Sequence, residues 1–318
     1  MKAAVLAAGL GTRLRPLTDI RPKPLWPVLN RPLLGLVLAQ LETAGCFQVA
    51  VNTHHLADQV HDFLRSEPWS FLLSVSHEPE ILGTGGGLRQ LGEVLREGPF
   101  LAVNADILTD LDLAGVYRAH PSEAVSTLVL HDCPAYNNVW VAGETVVSIG
   151  SPPPGGGGAD AKALAYTGVQ VVGPGMMNYL PPAGQPADLV QAWREAIAAG
   201  ERLACLTVRG HFWQDLGTPD HYLAAHQRLL AGASPELGRY FPGLADPLIG
   251  PGARIGAGAH FGGGVCLGAA AVVEDGAFLK NTVVWERAVI APGVELEDCI
   301  VASGVKVNDS ARGRILVA

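Results

Sequence analysis

Large apolar residues recur at every sixth position in the last part of the chain, and this repeat restricts the fold more than any other feature. The repeat positions hold Ile249, Ile255, Phe261, Leu267, Val273, Leu279 and Trp285. After a shift of one residue the repeat continues at Ile290 and Leu296, and after another at Val301 and Val307. A six-residue period with one large apolar position predicts a short left-handed parallel β-helix, in which each apolar residue points into a triangular core.

The first half of the chain alternates short apolar runs with amphipathic patterns. The apolar runs are AAVLAA, FQVAVN, FLLSVS, FLAVNA and STLVLHD. Between them, RPLLGLVLAQLETAG, HLADQVHDFLRS and GGLRQLGEVLRE carry leucines three or four residues apart, which is typical of helices. This alternation predicts an α/β fold with a mostly parallel central sheet covered on both faces. Ligands of such sheets bind beyond the carboxyl ends of the strands.

From about residue 130 the strand-like segments become shorter, and a glycine- and proline-rich segment interrupts them. Its sequence, SPPPGGGGADAK, is typical of a flexible surface loop. A helix near residues 187–199, strands around CLTV and HFW, and the helix DHYLAAHQRLL follow. We therefore predict a first domain over residues 1–231, a linker over 232–247 and the β-helix over 248–318.

The composition argues against several classes of protein. The 318-residue chain is 48% hydrophobic and carries a net charge of −8, which describes a folded protein without a basic face for nucleic acid. Its five cysteines are scattered and form no CxxC pair, so we expect a reducing cytoplasm and no zinc site. No apolar run reaches the roughly 18 residues of a membrane span. The opening MKAAVLAAGLGTR has too short an apolar run for a signal peptide, so we expect a soluble cytoplasmic protein.

A glycine loop with fixed cations opens the chain. In LAAGLGTRLRPLTDIRPKPL, Gly9 and Gly11 let the backbone approach an anion closely and point amides at it. Arg13 follows, and Lys23 lies between two prolines that reduce the entropy its ammonium loses on binding. The spacing fits neither the Rossmann fingerprint nor the Walker phosphate loop. The loop therefore favours a bound polyphosphate.

The stretch LAAGLGTRLRPLTDIRPKPLWPV resembles the signature of the sugar-1-phosphate nucleotidylyltransferases, LAAGxGTRLxPLT followed by PKPLxPV. The resemblance implies a Rossmann-like nucleotidyltransferase domain that joins a nucleoside triphosphate to a sugar 1-phosphate and releases pyrophosphate. It also implies that Arg13 holds the departing pyrophosphate and that Lys23 contacts the phosphates at the reacting centre. By the same resemblance, the residues that wrap the triphosphate are Leu6, Ala8, Gly9, Gly11 and Thr12.

Two aspartates match the metal site that this resemblance implies. Nucleotidyl transfer needs positioning and charge neutralisation, for which Mg²⁺ on one or two carboxylates is the usual solution. Asp106 follows a strand in VNAD, where Ala105 replaces the more usual glycine. Asp215 lies in HFWQDLGTP, which is similar to the family's W-x-D-x-G-T motif. Each aspartate alone could be a cap or turn residue, but together they predict magnesium binding.

A second glycine loop, HEPEILGTGGGL, corresponds to the family loop that lies against the nucleobase. In it Gly83, Thr84 and Gly85 would contact a flat base, and Glu78 sits where the base edge is often read. A carboxylate only accepts hydrogen bonds, so it pairs well with the two donors on the edge of guanine. This favours GTP, whereas the similar ETGGG loop of muramate-type uridylyltransferases favours UTP, and both nucleotides stay open.

The stretch YTGVQVV over residues 166–172 resembles the family's sugar-contacting strand. There Gly168 would leave room for the sugar ring, and Asn137 or Asn138 would reach its hydroxyls. The family's Glu–Lys pair for the sugar phosphate falls where this chain has SPPPGGGG, with Lys162 nearby but out of step. The sugar therefore stays open between mannose and an amino sugar or muramate.

Two other interpretations remain. Regulatory subunits keep this fold but lose phosphate-binding residues, all of which this chain retains: Gly11, Arg13, Lys23, Asp106 and Asp215. Related uridylyltransferases carry a longer β-helix that acetylates amino sugars with acetyl-CoA, whereas this repeat is short and has one histidine, His260. We expect the β-helix to serve homo-oligomerisation or regulation, and truncation near Pro247 to leave a folded catalytic domain.

Overall fold

The computed structural model describes residues 1–95, 97–153 and 161–317, which form two compact units. The first unit comprises Met1–Leu10, Val37–Ile107 and Leu111–Trp213. The second comprises Gly11–Leu36, Leu108–Asp110 and the chain from Gln214 onward. Most of the predicted SPPPGGGGADAK loop lies outside the described residues. The predicted boundaries at residues 231 and 247 imply that each domain folds by itself, and this stays a prediction.

Strands and helices alternate through most of the first 130 residues, as the apolar pattern of the first half predicts, and strands predominate between residues 126 and 172. The strands are β1 Lys2–Leu6, β2 Pro27–Val28, β3 Arg31–Pro32, β4 Gln48–Thr53, β5 Leu72–His77, β6 Phe100–Asn104, β7 Ile107–Thr109, β8 Ser126–His131, β9 Val139–Ala142, β10 Thr145–Ile149, β11 Lys162–Val172, β12 Leu203–Thr207 and β13 Trp213–Asp215. The α-helices are α1 Leu17–Ile20, α2 Leu33–Thr43, α3 Ala57–Ser66, α4 Gly83–Val94, α5 Leu113–Arg118, α6 Leu189–Ala198, α7 Pro219–Leu230 and α8 Pro235–Gly238. Further 3-10 helices span Thr12–Leu14, Lys23–Leu25 and Pro174–Tyr179.

A nine-stranded sheet forms the centre of the first unit, in the order β5-β4-β1-β6-β11-β8-β12-β10-β9. The first four of these strands are parallel to one another, as is the pair β8 and β12. The strand β11 runs antiparallel to β6, β8 and β9. The α/β fold is confirmed, and the sheet is mixed because short loops replace crossover helices in part of the chain after residue 130.

The carboxyl ends of the parallel strands bring the sequence motifs of the first unit to one edge. Leu6 at the end of β1 pairs with Asn52 on one side and with Asn104 on the other. The backbone N of Ala105 then donates to the carbonyl of Leu6 at 3.0 Å. The first loop and the VNAD turn therefore begin side by side, as the strand–helix alternation predicts.

The chain after residue 247 forms three stacked parallel sheets that fit the predicted left-handed β-helix. Their orders are β14-β17-β20-β23-β26, β15-β18-β21-β24 and β16-β19-β22-β25. The strands are β14 Leu248–Ile249, β15 Arg254–Ile255, β16 His260–Phe261, β17 Cys266–Leu267, β18 Val272–Val273, β19 Phe278–Lys280, β20 Val283–Val284, β21 Val289–Ile290, β22 Glu295–Glu297, β23 Ile300–Val301, β24 Lys306–Val307, β25 Ala311–Arg312 and β26 Ile315–Leu316.

The register of the β-helix differs from the predicted repeat at one position. Leu267 pairs with Val284, and Val284 pairs with Val301, so Val284 and not Trp285 occupies the stacked position. The shift of one residue thus falls before Trp285. Trp285 is still buried, because its ring packs edge-on against Trp26 with 5.6 Å between centroids.

Two expectations from the composition can be compared with the described residues. Within the three described ranges, no helix combines the length and the apolarity needed to cross a membrane. All five cysteines are free.

Candidate functional site

Glu78 links three segments at the carboxyl edge of the sheet in the first unit. Its Oε1 accepts a hydrogen bond from Asn52 Nδ2 at 2.7 Å, and its Oε2 accepts one from the backbone N of Leu82 at 3.0 Å. Asn52 Oδ1 accepts in turn from the backbone N of Ala7 at 2.6 Å. Glu78 is only 1% exposed. In this structure its carboxylate therefore supports the two glycine loops and is not presented to a base.

The second glycine loop begins helix α4 and packs against residues 185–188. The backbone N atoms of Gly85 and Gly86 both donate to the carbonyl of Ala187, at 2.9 Å and 3.3 Å. A Cβ added at Gly85 would lie 3.0 Å from that carbonyl, and one at Gly86 would collide with the carbonyl of Gln185. Both glycines thus leave room for another segment of the same chain, whereas the sequence analysis predicts that Gly85 contacts a base.

The other glycines of this loop have different surroundings. A Cβ added at Gly87 would lie 2.6 Å from Asn52 Nδ2 and 2.9 Å from Glu78 Oε1. Gly83 has a φ of +69° and is exposed, as is Thr84. Of the three predicted base contacts in this loop, Gly83 and Thr84 are therefore accessible and Gly85 is buried.

Gly11 shapes the start of the second unit. Its φ of +62° lies in the left-handed region, and its carbonyl accepts from the backbone N of Leu14 at 2.9 Å and from Thr18 Oγ1 at 3.1 Å. A Cβ added there would lie 2.8 Å from Thr18 Cγ2 and 3.6 Å from Lys23 Cβ. Lys23 itself is only 8% exposed. Only glycine fits this position without strain, and the close packing places Lys23 beside the loop backbone.

The remaining predicted triphosphate contacts line the first loop. Leu6 is half-buried at the end of β1, and Ala8 is buried. Gly9, Thr12 and Arg13 are exposed, and a Cβ added at Gly9 would meet nothing within 4 Å. The loop thus has an accessible backbone around Gly9, which suits the approach of an anion.

Arg13 and Asp215 meet at Gly217 in the second unit. A Cβ added at Gly217 would lie 2.7 Å from Asp215 Oδ2 and 3.0 Å from Arg13 Nη2. On the other side of the carboxylate, His221 Nδ1 lies 2.8 Å from Asp215 Oδ1. The structure therefore brings together two residues that the sequence placed 202 positions apart. His221 is a neighbour of the site that sequence reasoning missed.

The run of residues after Asp215 explains how this carboxylate is positioned. Asp215 is the last residue of β13, and helix α7 begins at Pro219. Thr218 caps the helix, since its Oγ1 accepts from the backbone N of His221 at 3.2 Å. Threonine at the cap and proline at the first helical position are strong start signals for a helix. The motif thus fixes a strand end and a helix start within five residues, 215–219.

Gly168 lies against the turn that carries Asp106 in the first unit. It has a φ of +85° and falls where the pairing of β11 with β8 is irregular. A Cβ added there would lie 2.7 Å from Ile107 Cγ1 and 3.4 Å from Asn104 Cβ. The predicted sugar strand and the predicted metal turn are therefore neighbours. The space that this glycine leaves is used in part by Ile107.

An aromatic group lies next to Gly168 and was not predicted. Trp213 Nε1 donates to the carbonyl of Thr167 at 2.8 Å, and the Trp213 ring lies 4.7 Å from His131 and 6.0 Å from Tyr136. Tyr136 is 43% exposed. Burial lowers the pKa of His131, and the neighbouring His211 lowers it further, so the His131 ring is neutral at pH 7. The group offers a sugar an apolar face.

Asn137, the other predicted sugar residue, stabilises its own turn. Its Oδ1 accepts from the backbone N of Cys133 at 2.9 Å, and its Nδ2 donates to Asp132 Oδ1 at 2.8 Å. Asn138 is exposed. Asn138 is therefore the freer of the two asparagines that the sequence proposed.

The donor chemistry around the two aspartates fits a magnesium ion. Among the residues that the structure describes, no three or more His, Cys, Asp and Glu side chains cluster as metal ligands. Magnesium needs fewer protein ligands, since it takes one or two carboxylates and fills its octahedron with water and phosphate oxygens. Asp106 is partly exposed, and Asp215 has 16% of its side chain exposed although its Oδ1 is buried beside His221.

Residues 2–138 match the Nucleotidyl transferase family. The chain is 32% identical over 228 residues to the N-acetylmuramate alpha-1-phosphate uridylyltransferase of Neisseria meningitidis serogroup B, which covers 69% of this chain and 94% of the relative. It is 31% identical to the mannose-1-phosphate guanylyltransferase catalytic subunit beta of Dictyostelium discoideum, over 89% of this chain and 81% of the relative. The crystal structure of HddC from Yersinia pseudotuberculosis complexed with GMP-PN shares the fold, with a TM-score of 0.58 and 19% identity over 70% of this chain and 97% of that one.

The mixed α/β sheet and the matched family model together define the class of this protein as a nucleotidyltransferase. With the two relatives above 30% identity, the chain belongs to the nucleotidyl transferase family. The family resemblance predicted from the signature is thereby confirmed.

Proposed function

We propose that this protein transfers a nucleoside monophosphate from a nucleoside triphosphate to a sugar 1-phosphate. An oxygen of the sugar phosphate forms a bond to the α-phosphorus, and the bond from that phosphorus to the oxygen of pyrophosphate breaks. The observation that carries the proposal is the position of Lys23, which is buried against Gly11 in the second unit, where Arg13 of the same segment is exposed. A cation fixed in this way stabilises the charge that develops during the transfer.

Each of the other charged residues has a proposed role in this reaction. Arg13 neutralises the departing pyrophosphate. Asp106 in the first unit and Asp215 in the second are each proposed as ligands of Mg²⁺, which supplies charge neutralisation on the phosphates when bound. The guanidinium of Arg13 and the carboxylate of Asp215 both lie within 3.0 Å of the position that a Cβ would take at Gly217, which supports a phosphate and metal role for these residues.

For the nucleotide we propose GTP first and UTP second. The Glu78 carboxylate is bonded to Asn52 and Leu82, so the argument from the donors of guanine no longer supports GTP. Guanylyl transfer is placed first because the Dictyostelium guanylyltransferase matches 89% of this chain, against 69% for the Neisseria uridylyltransferase. Uridylyl transfer is supported by the identity of 32% to that uridylyltransferase and by the TGGG run of the second loop, which resembles the ETGGG loop of muramate-type uridylyltransferases.

We propose that the sugar binds at the surface beside Gly168. The first candidate substrate is mannose 1-phosphate, and the second is an amino-sugar or muramate 1-phosphate. The rings of Trp213 and Tyr136 supply an apolar face there, and Asn138 supplies an exposed amide. Asn137 would act on the sugar through the turn that it holds.

The proposal is tested by pyrophosphate release from GTP or UTP, each combined with mannose 1-phosphate or N-acetylmuramate 1-phosphate in the presence of magnesium. We expect release with one of these pairs that depends on both substrates and is lost in Lys23→Ala. Turnover only with GTP and mannose 1-phosphate supports the first candidate, and turnover only with UTP and N-acetylmuramate 1-phosphate supports the second. Release that needs no sugar phosphate contradicts the proposal.

We also propose that the β-helix mediates self-association of this chain in the cytoplasm. Its first coil has no preceding coil to pair with, and it exposes Ile249 at 47% and Ile255 at 41%. A second copy of the chain would cover this end. Light scattering of the wild type and of Ile255→Glu tests this self-association. A monomer mass for both proteins contradicts it.

A further inference from the structure

Arg21, two residues before Lys23, is held by the β-helix. Both of its Nη atoms donate to the carboxylate of Glu286, with 3.3 Å between Nη1 and Oε2, and Nη2 also donates to Ser303 Oγ at 3.0 Å. Ser303 Oγ donates to Glu286 Oε1 at 2.8 Å. The guanidinium carbon lies 4.7 Å from the centre of the Trp285 ring. We refer to Arg21, Trp285, Glu286 and Ser303 as the Arg21 clamp.

The clamp is built on regular coils, so its geometry is fixed by the β-helix backbone. Glu286 and Ser303 lie in adjacent coils, and the backbone N of Gly304 donates to the carbonyl of Glu286 at 3.0 Å. Burial raises the pKa of Glu286, but the hydrogen bonds from Arg21 and Ser303 outweigh it and hold that pKa below its usual value. The carboxylate is therefore charged at neutral pH and pairs with the guanidinium.

Trp26 holds the other end of the segment that carries Lys23. Its Nε1 donates to the carbonyl of Arg21 at 3.2 Å, and its ring, fully buried, lies edge-on to Tyr222 at 5.1 Å and to Trp285 at 5.6 Å. The backbone N of Trp26 also donates to the carbonyl of Lys23 at 3.0 Å. The backbone of Lys23 is thus fixed from both sides by groups that rest on the β-helix.

The contact continues along the chain beyond this segment. Asn30 Nδ2 donates to the carbonyl of Leu267 at 2.8 Å, and Asn30 Oδ1 accepts from the thiol of Cys266 at 3.3 Å. Both partners lie in an earlier coil than the clamp. Residues 21–30 are therefore bonded to successive coils, and the β-helix is a rigid support for the signature loop.

We propose that Glu286 is a positioning residue for nucleotidyl transfer, acting through Arg21 on the place of the Lys23 ammonium. The inference rests on the proposed contact of Lys23 with the nucleotide phosphates. A displacement of about 1 Å at a catalytic group costs on the order of 100-fold in rate. A change in one β-helix side chain therefore alters the chemical step although it touches no substrate.

The test compares Glu286→Gln with a matched control, Glu297→Gln. Glu297 also forms ion pairs on the β-helix, with Lys280 at 2.7 Å and Arg312 at 3.4 Å, but neither partner belongs to the signature loop. With GTP, UTP and each sugar phosphate varied separately, we expect Glu286→Gln to lower kcat about tenfold or more at an unchanged KM for the sugar phosphate. Glu297→Gln should keep the wild-type kcat and KM.

Two further measurements separate positioning from a merely structural role. Arg21→Met with Glu286→Met replaces the ion pair by apolar contact, which is often neutral, whereas each single change leaves a charge unpaired. We expect the double variant to recover kcat to within about threefold of the wild type while both single variants stay low. Hydrogen exchange of the backbone amides of Lys23, Leu25 and Trp26 should accelerate in Glu286→Gln and not in Glu297→Gln.

The milder Ser303→Ala, which removes the hydrogen bonds of Ser303 Oγ with Arg21 and Glu286 and keeps the ion pair, should shift kcat in the same direction by a smaller factor. Faster exchange in Glu286→Gln together with a wild-type kcat overturns the positioning role. Equal losses of kcat in the Glu286 and Glu297 variants also overturn it. Wild-type activity in Lys23→Ala instead overturns the proposed role of Lys23, whatever the Glu286 variants show.

Discussion

Hydrogen bonds of single side chains hold the two glycine loops of the first unit in place. Asn52 donates to Glu78 and accepts from Ala7, so one asparagine joins the first loop to the second. Gly87 leaves the space for this pair, since a Cβ there would meet both side chains. Removing one partner of such a buried network leaves the other unsatisfied, which costs about 1–3 kcal/mol.

Glu78→Gln should therefore reduce kcat/KM for GTP and UTP by the same factor. A glutamine keeps one acceptor for Asn52 Nδ2 or for the backbone N of Leu82 but turns a donor toward the other. We expect both nucleotides to lose about tenfold or more, together with a lower melting temperature. Initial rates with both nucleotides check this, and a selective loss for GTP would restore the base-reading role predicted from the sequence.

Asp106→Asn and Asp215→Asn should each abolish pyrophosphate release while the fold stays intact. An amide has half the acceptor oxygens of a carboxylate and no charge, so it binds Mg²⁺ poorly. Pyrophosphate release is measured at saturating substrates, with circular dichroism as the control for folding. Near wild-type turnover in either variant rules out that aspartate as an essential metal ligand.

At the residue scale, the sequence predicts the role of a residue when the groups around it belong to the same motif. The need for glycine at position 11 is predicted from the glycine loop itself, and the fixed position of Lys23 is predicted from the two prolines that flank it. Asn52 and Arg21 could not be assigned, because their partners Glu78 and Glu286 lie 26 and 265 positions away. The surroundings of Gly85 could not be predicted for the same reason, since nothing local shows that residues 185–188 pack on it.

At the scale of helices and strands, α7 joins the motif of Asp215 to the support of the signature loop. Tyr222 and His226, one turn apart on α7, are both fully buried. The backbone N of Leu29 donates to His226 Nε2 at 3.2 Å, so Nδ1 carries the proton and donates to the carbonyl of Tyr222 at 2.9 Å. A second proton on this ring would face the donor of Leu29.

The stability of the protein should therefore fall in mild acid through His226. Burial lowers the pKa of His226 to about 4, below the value of about 6.5 in the unfolded chain. The unfolded state thus binds more protons between these values, and stability is lost as the pH falls from about 6.5 toward 4. We expect about 2 kcal/mol of loss between pH 7 and pH 5.

Urea unfolding at the two pH values checks this, with His226→Gln as the control that keeps an acceptor for Leu29 and has no proton to bind. The variant should lose less stability than the wild type over the same interval. An identical pH dependence for both proteins shows that His226 is not the responsible group.

Most elements follow from hydrophobic periodicity, and their exceptions have physical causes. The runs of the first half become the parallel strands β1, β4, β5 and β6, because helices of sufficient length connect them. The antiparallel pairs of β11 depend on long-range contacts that periodicity does not contain. Trp285 was placed in the β-helix core because a tryptophan satisfies an apolar repeat, whereas its ring packs outside the stack against Trp26.

At the scale of the whole molecule, the β-helix and the part of the signature from Gly11 onward belong to one compact unit. Residues 11–36 and the chain from residue 214 onward cluster together. The sequence repeat predicts a removable module, but the contacts of Trp26, Tyr222 and Asn30 give a different expectation. These side chains pack against or hydrogen-bond to residues of the β-helix coils, which a truncation would delete.

Truncation after Pro247 should leave the sheet of the first unit formed but lower kcat by at least the factor found for Glu286→Gln. Exposing Trp26 and Tyr222 removes apolar burial worth about 2–3 kcal/mol per ring. Far-ultraviolet circular dichroism, tryptophan fluorescence and pyrophosphate release test this on the full and truncated chains. Wild-type kcat in a folded truncated protein contradicts the support role of the β-helix.

The most direct test of the account follows a phosphorus label through the reaction. Wild-type protein receives the preferred nucleoside triphosphate labelled either at the α- or at the γ-phosphorus, with magnesium and the sugar 1-phosphate that supports turnover. We predict that the α-label appears in a nucleoside diphosphate sugar and the γ-label in pyrophosphate, in equal amounts and only when the sugar phosphate is present. A γ-label found in a phosphorylated sugar, or an α-label released as free nucleoside monophosphate, contradicts nucleotidyl transfer to a sugar 1-phosphate.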